Sequence, residues 1–335
     1  MGCYVVVAFV KPGTVIYDYM KKIALRLTAI LIVITGSSER LFGQNSAVFD
    51  FVRNDASARS GSMGGAFVSI LGDPAGLFYN PATIVSIDSS QASFTFFKHI
   101  LDINAGSAVI ATELEGVGHV AFGVNFTSYG VFERTNREAT VTGEFGASDM
   151  LITAGWGGDL GEGFSAGIGG SAIFSTIDDV GATALALDGG LAYVDTSRRL
   201  SAGLSILHVG TQLSAYGEET EPLPVDLKVG ITHTLRGLPL LVSLTFSRLL
   251  DEQDQFADRF SSFSIGGELT IAKPVRLRLG YNNRTRQDVP FGTTKGLSGF
   301  SGGVGVLFGG YRFDYGFNPL GRIGGLHRVT VNAPF

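Results

Sequence analysis

Cysteine is almost missing from this 335-residue chain: Cys3 is the only one, so no internal disulfide staples the fold and no paired-thiol chemistry is available. Charge is scarce as well. Asp, Glu, Lys and Arg make up 16% of the residues, the net charge is −5, and the cations are scattered rather than clustered, which excludes an electrostatic interface for nucleic acid. After residue 34 there is no uninterrupted apolar run near the roughly 20 residues that a spanning helix needs. The histidines, His99, His119, His208, His233 and His327, stand far apart without metal-ligand spacing. No cluster of catalytic groups is visible, so the reading is of a non-enzymatic protein without cofactor.

What is abundant is glycine, 47 residues, together with alternating apolar and polar positions. Val225, Leu227, Val229 and Ile231 oppose Asp226, Lys228, Gly230 and Thr232. Phe263, Ile265, Leu269 and Ile271 oppose Ser262, Ser264, Glu268 and Thr270, Val275, Leu277, Leu279 and Tyr281 oppose Arg276, Arg278 and Gly280, and Phe313, Tyr315 and Phe317 oppose Arg312 and Asp314. A water-soluble sandwich alternates too, with its apolar side buried. Apolarity without spanning helices points instead to strands facing lipid, which must close because an edge in hydrocarbon leaves backbone groups unpaired. The connections alternate in length. Tight turns are expected at 113–116, 158–162, 195–199, 235–238, 272–273 and 309–310, and longer ones at 128–147, 175–183, 210–224, 249–259, 283–297 and 318–324. That rhythm predicts an all-β transmembrane antiparallel barrel of about 14 strands over 91–335, one rim minimal and the other elaborated. The terminal Phe335 is an aromatic end like those of many outer-membrane barrels.

Met20-Lys21-Lys22 opens a basic stretch, residues 23–34 are apolar, and small or polar residues run to Gln44. Residues 20–43 therefore read as a signal peptide, cleaved after Gly43, and 1–19 as an upstream extension from a misassigned start. A membrane anchor is the alternative, though the apolar stretch is short for one. The expected destination is the cell outer membrane.

Segment 44–90 has a different texture. Asp73 before Pro74 is an N-cap with proline in the first turn and predicts a short helix from Pro74 to Tyr79, ended by Asn80-Pro81. The small-residue stretch with Arg59, Gly61, Met63, Gly64 and Gly65, followed by Asp73, Pro74, Asn80 and Pro81, resembles the amino-terminal signature of FadL-like outer-membrane barrels, which implies a luminal plug. The stretch Gly210-Thr211-Gln212-Leu213 through Tyr216 to Glu221-Pro222-Leu223-Pro224 is similar to the PorQ family of the type IX secretion system of Bacteroidetes, with the PorV family next. That resemblance implies an outer-membrane barrel that anchors a surface component (PorZ-like) of the complex attaching secreted cargo, with Tyr216, Glu221, Pro222 and Pro224 facing the partner. The partners implied are outer-membrane lipid and that surface protein. A FadL-like transporter of hydrophobic small molecules is the alternative, as is a PorV-like cargo shuttle.

Gly299-Phe300-Ser301-Gly302-Gly303 matches a nucleophile elbow, but a strand follows where a helix is required. The loose dinucleotide fingerprints starting at Gly161 and Gly167 open no helix in a βαβ unit and read as strand glycines. Asp226, Lys228, Glu268, Arg276 and Arg278 are expected to pair inside the lumen, and the acidic loop 251–258 to be solvated on the outer rim. Arginine at Val229 is expected to cost more than arginine at Gly230 or Thr232.

Overall fold

In the computed structural model residues 48–98, 103–252, 255–288, 296–320 and 324–335 are described, so the expected leader lies outside the described residues. The wall consists of β1 (Gln91–Lys98), β2 (Asn104–Leu114), β3 (Gly118–Thr135), β4 (Val141–Gly161), β5 (Phe164–Ile177), β6 (Val180–Asp195), β7 (Leu200–Ser214), β8 (Asp226–Thr234), β9 (Leu240–Phe246), β10 (Phe263–Ala272), β11 (Val275–Asn282), β12 (Phe300–Phe308), β13 (Tyr311–Pro319) and β14 (Gly325–Pro334). Each strand pairs antiparallel with its chain neighbours and β1 pairs with β14, so fourteen strands close without an edge. Among the described residues no helix is long and apolar enough to cross a membrane, and crossing is left to the strands.

The expected alternation holds along the wall. Val229, Ile231, Ile265, Leu277, Leu279, Phe313 and Tyr315 face outward with Phe94, Phe96, Phe122 and Leu187, giving a lipid-facing belt. Asp226, Lys228, Thr232, Ser264, Arg278 and Asp314 are buried inside. Val225 departs from the pattern: it precedes β8 and is buried.

The tight rim is as expected, with turns at 115–117, 162–163, 196–199, 235–239, 273–274 and 309–310. The other rim differs. The expected loop 128–147 is mostly strand, because β3 and β4 run on for 18 and 21 residues and pair as far as Thr135 opposite Val141. About 9–11 residues cross the hydrocarbon, so this hairpin stands well clear of it. Its Val, Thr and Phe residues suit a pleated ladder, and that preference outweighs the polar texture read as loop. The expected loop 175–183 shrinks to Asp178-Asp179, with Asp178 at φ 56°, a conformation that aspartate tolerates better than most residues. Connections 215–225, 247–262 and 283–299 remain long.

Segment 48–90 packs inside the barrel. It is largely irregular, with a short helix at Ala58–Ser62 capped by Ser57 and 3-10 turns at Asp50–Arg53, Pro74–Phe78 and Pro81–Ser86. The helix expected from Pro74 to Tyr79 is thus a 3-10 turn ending at Phe78, capped by the Asp73 carboxylate on the Ala75 N–H at 3.1 Å. Asn80-Pro81 ends it and also starts the next turn, the Asn80 side chain accepting from the Ala82 N–H at 3.1 Å.

Non-helical backbone at membrane depth is tolerated only where protein satisfies its polar groups. The lumen-facing hydroxyls and amides of the wall do this. Ser107 Oγ donates to the Ala56 carbonyl at 2.5 Å, Ser301 Oγ to Ser62 at 3.0 Å, Asn282 to Gly64 at 3.0 Å, Asn318 to Gly61 at 2.8 Å and Ser205 to Tyr79 at 2.7 Å. The wall glycines provide the space. A Cβ at Gly316 would sit 2.8 Å from the Ala58 carbonyl oxygen, at Gly266 2.8 Å from that of Met63, and at Gly303 2.5 Å from Ser62 Cβ. Such glycines recur on most strands of the wall and form a belt around the segment.

Candidate functional site

The lumen has two chemically different sides. On the side of β10, β11 and β13, six side chains form a closed circuit of alternating charge. Arg59 grips Glu268 through Nε and Nη2 at 2.9 and 3.0 Å and reaches Asp73 at 3.3 Å. Arg278 joins Glu268 at 2.6 Å and Asp314 at 2.7 Å, and Arg312 joins Asp314 at 2.8 Å and Asp73 at 2.5 Å. Three guanidinium and three carboxylate groups balance, so burial strands no charge. Arg59 and Asp73 belong to the inner segment and the other four to the wall, so the circuit fixes one against the other. The expected charged lining is therefore partly right. Glu268 and Arg278 pair inside, and Asp226 pairs with Lys228 at 3.4 Å. Arg276 instead bonds the turn carbonyls of Ala272 and Lys273, because it lies one residue from the 273–274 turn.

On the side of β2–β6 the lumen carries apolar clusters beside buried polar residues such as Asn125, Thr153, Ser171 and Asp188, so its interior is not uniformly polar. Phe49, Val52, Leu151, Ile173, Ala182, Ala184, Ala186 and Leu223 form one cluster, and Leu77, Ile84, Ile87, Val109, Ala111 and Ala121 another nearer the tight rim. Phe78 packs against both and joins them into one tract. At its outer end, under the β3–β4 hairpin, a cavity of about 520 Å³ is lined by Val48, Phe132, Phe145, Ala147, Thr176 and Ile177, with Tyr129, Asp149, Ser175 and Tyr216 as its polar spot. Phe132 and Phe145 stack there with centroids 5.4 Å apart.

The residues singled out in the sequence are distributed between these features. Arg59 and Asp73 complete the charge circuit. Met63 is fully buried with Phe67, Ile70 and Tyr79. Gly64 and Gly65 have φ of 67° and 80°, and Gly64 lies against the Tyr281 backbone, where a Cβ would meet it at 2.9 Å. Gly61 abuts the Arg328 guanidinium, and its carbonyl accepts from Asn318. Pro74 and Pro81 open two of the segment's three 3-10 turns, and Asn80 donates to the Val68 and Leu191 carbonyls at 3.0 Å each.

The loop residues do not all face outward. Tyr216 turns to the cavity, Pro224 is buried beside Leu223 and Val225, and only Glu221 and Pro222 are exposed, the Glu221 N–H being bound by Gln212 at 2.5 Å. Asp251 of the acidic loop is not solvated. It is buried against Arg53 at 3.1 Å, and that burial raises its carboxyl above the usual range despite the neighbouring Arg53 and Arg248. The Ser301 of the elbow-like motif is a wall residue bonded to Ser62. Arginine at Gly230 or Thr232 would not be mild either: a Cβ at Gly230 collides with Val68, and the Thr232 hydroxyl bonds Ser69 at 2.7 Å and Ser243 at 2.9 Å. Arg312, Asp314, Tyr129, Asp149 and Ser175 were not picked out as a site. Each occupies an ordinary strand position, and only closure of the barrel brings them together.

No protein-family model matches the chain, and no curated protein matches it. Solved structures do. The Ralstonia pickettii toluene transporter TbuX is 14% identical over 84% of this chain and 99% of its own, with a TM-score of 0.54. The Pseudomonas putida toluene transporter TodX is 13% identical over 86% and 98%, TM-score 0.54, and the monoaromatic hydrocarbon channel CymD is 13% identical over 86% and 99%, TM-score 0.54. The shared fold is a closed fourteen-strand antiparallel barrel.

Proposed function

We propose that this chain is an outer-membrane uptake channel for small hydrophobic molecules, without catalytic activity. The observation that carries the reading is the apolar tract that starts at the rim cavity and continues past Leu151, Ile173 and Phe78 to Ala111 and Ala121. Its wall side is rich in alanine and its other side is the inner segment, so an apolar solute would pass along β2–β6 by displacing side chains such as Phe78 while the charge circuit holds the segment on the opposite side. The fold shared with hydrocarbon channels supports the same reading. The test is uptake of labelled monoaromatic probes by cells with the gene deleted and restored. Uptake lost on deletion and recovered on complementation is expected, and unchanged uptake overturns the reading.

Anchoring of a surface component of the type IX attachment complex is the second reading. It is favoured by the projecting β3–β4 hairpin and the exposed tip 217–222, which present a broad outer surface. Release of surface proteins into the medium on deletion, with uptake intact, would replace the channel with the anchor.

A further inference from the structure

The rim cavity carries chemical information beyond its apolarity. Tyr129 Oη donates to Asp149 Oδ2 at 2.5 Å, Ser175 Oγ donates to Asp149 Oδ1, and Tyr216 Oη donates to Ser175 Oγ at 2.6 Å. A hydroxyl has one hydrogen. All three hydrogens are therefore committed within a chain that ends on the carboxylate, and among the described residues Asp149 has no Lys or Arg in an ion pair. What remains for an incoming molecule at this spot is lone pairs, chiefly on the two phenol oxygens. The rest of the lining, Val48, Phe132, Phe145, Ala147 and Ile177, offers apolar contact, apart from Thr176, which is exposed at the mouth. A cavity of about 520 Å³ lies in the range of small-molecule sites, where a few polar groups set orientation and choice among ligands of similar shape.

We infer that the cavity selects small apolar molecules that carry one hydrogen-bond donor, a phenol-type hydroxyl or an amine, over the bare hydrocarbon and over carboxylic acids. This rests on the uptake reading and names its substrate class. A donor satisfies the acceptors that a hydrocarbon would leave dry and unpaired. A carboxylate would bring its own lone pairs against those of Asp149 and the tyrosines, a like-charge contact without compensation.

The test is equilibrium dialysis of the full mature barrel in amphipol against four probes of matched shape: 4-ethylphenol, 4-ethylbenzylamine, ethylbenzene and 4-ethylbenzoate. Ala147→Trp, which fills the cavity, defines site binding as the part it removes. Both donor probes are expected to bind at least about fivefold more tightly than ethylbenzene, the worth of one hydrogen bond, with 4-ethylbenzoate weakest. The variant Tyr129→Phe/Asp149→Leu/Ser175→Ala/Tyr216→Phe removes the whole chain of acceptors, keeps the apolar wall and is expected to bring the ratio of 4-ethylphenol to ethylbenzene close to one. Heat-modifiable electrophoretic mobility checks that it remains a folded barrel, and the wild-type probe ratios stand without it. Ethylbenzene or 4-ethylbenzoate binding as tightly as 4-ethylphenol overturns the inference and leaves the uptake reading intact. If Ala147→Trp removes no binding of any probe, both fall.

Discussion

At the residue scale the charge circuit is the feature most sensitive to a single change. Replacing Arg278 by leucine leaves Glu268 and Asp314 each short of a buried partner, and removing one member of such a pair costs about 3–5 kcal/mol. Urea unfolding in lipid is expected to shift by that amount, whereas loss of an exposed pair such as Arg284–Asp288 should fall below about 1 kcal/mol. The glycine belt makes a second prediction. Alanine at Gly316 must push back the Ala58 carbonyl, an overpacking that costs about 1–3 kcal/mol, while alanine at Gly170, where a Cβ meets nothing, should be close to neutral. Equal effects at the two positions would show that the wall does not depend on close approach of the inner segment. On the lipid face, Val229→Arg is expected to cost about 2–4 kcal/mol near the midplane.

At the scale of elements, the connection between β7 and β8 divides into an exposed tip and a buried base. Leu223 belongs to the apolar cluster with Phe49 and Val52, so the base helps close the lumen. Deleting 217–220 removes exposed chain only and should leave the barrel folded, because loop tips tolerate shortening. Leu223→Ala, by contrast, opens the cluster and should cost about 2–5 kcal/mol. The two variants separate the readings of function: the tip deletion should spare uptake if the chain is a channel, and weaken surface attachment if it is an anchor.

At the scale of the whole molecule, the question is whether the inner segment must leave for a solute to pass. The apolar tract lies on one side and the charge circuit on the other, so passage along the first does not require the second to open. Ser69 and Thr232 face each other with their oxygens 2.7 Å apart, and cysteines there can bridge the segment to β8. Oxidising Ser69→Cys/Thr232→Cys is expected to leave probe uptake within about twofold of the reduced form, since β8 lies outside the tract. Uptake abolished by oxidation and restored by reductant would place the route through the segment itself.

The barrel was legible in the amino-acid sequence because its physics is local: period-2 alternation, tight turns in every second connection and the lack of a spanning helix each follow from neighbouring residues. The phase at Val229, Ile231 and Thr232 came from the same source. Local reading failed where 131–135 and 141–146 continued a ladder, since pairing with the partner strand decided the matter and composition did not. The charge circuit and the polar spot of the rim cavity were out of reach for a different reason. Asp73, Glu268, Arg278, Arg312 and Asp314 meet across separations of up to 239 residues, and Tyr129, Asp149, Ser175 and Tyr216 come from β3, β4, β5 and a loop. A single chain states which residues face inward, but which inward residues face one another is set by barrel closure and by the course of the segment inside it.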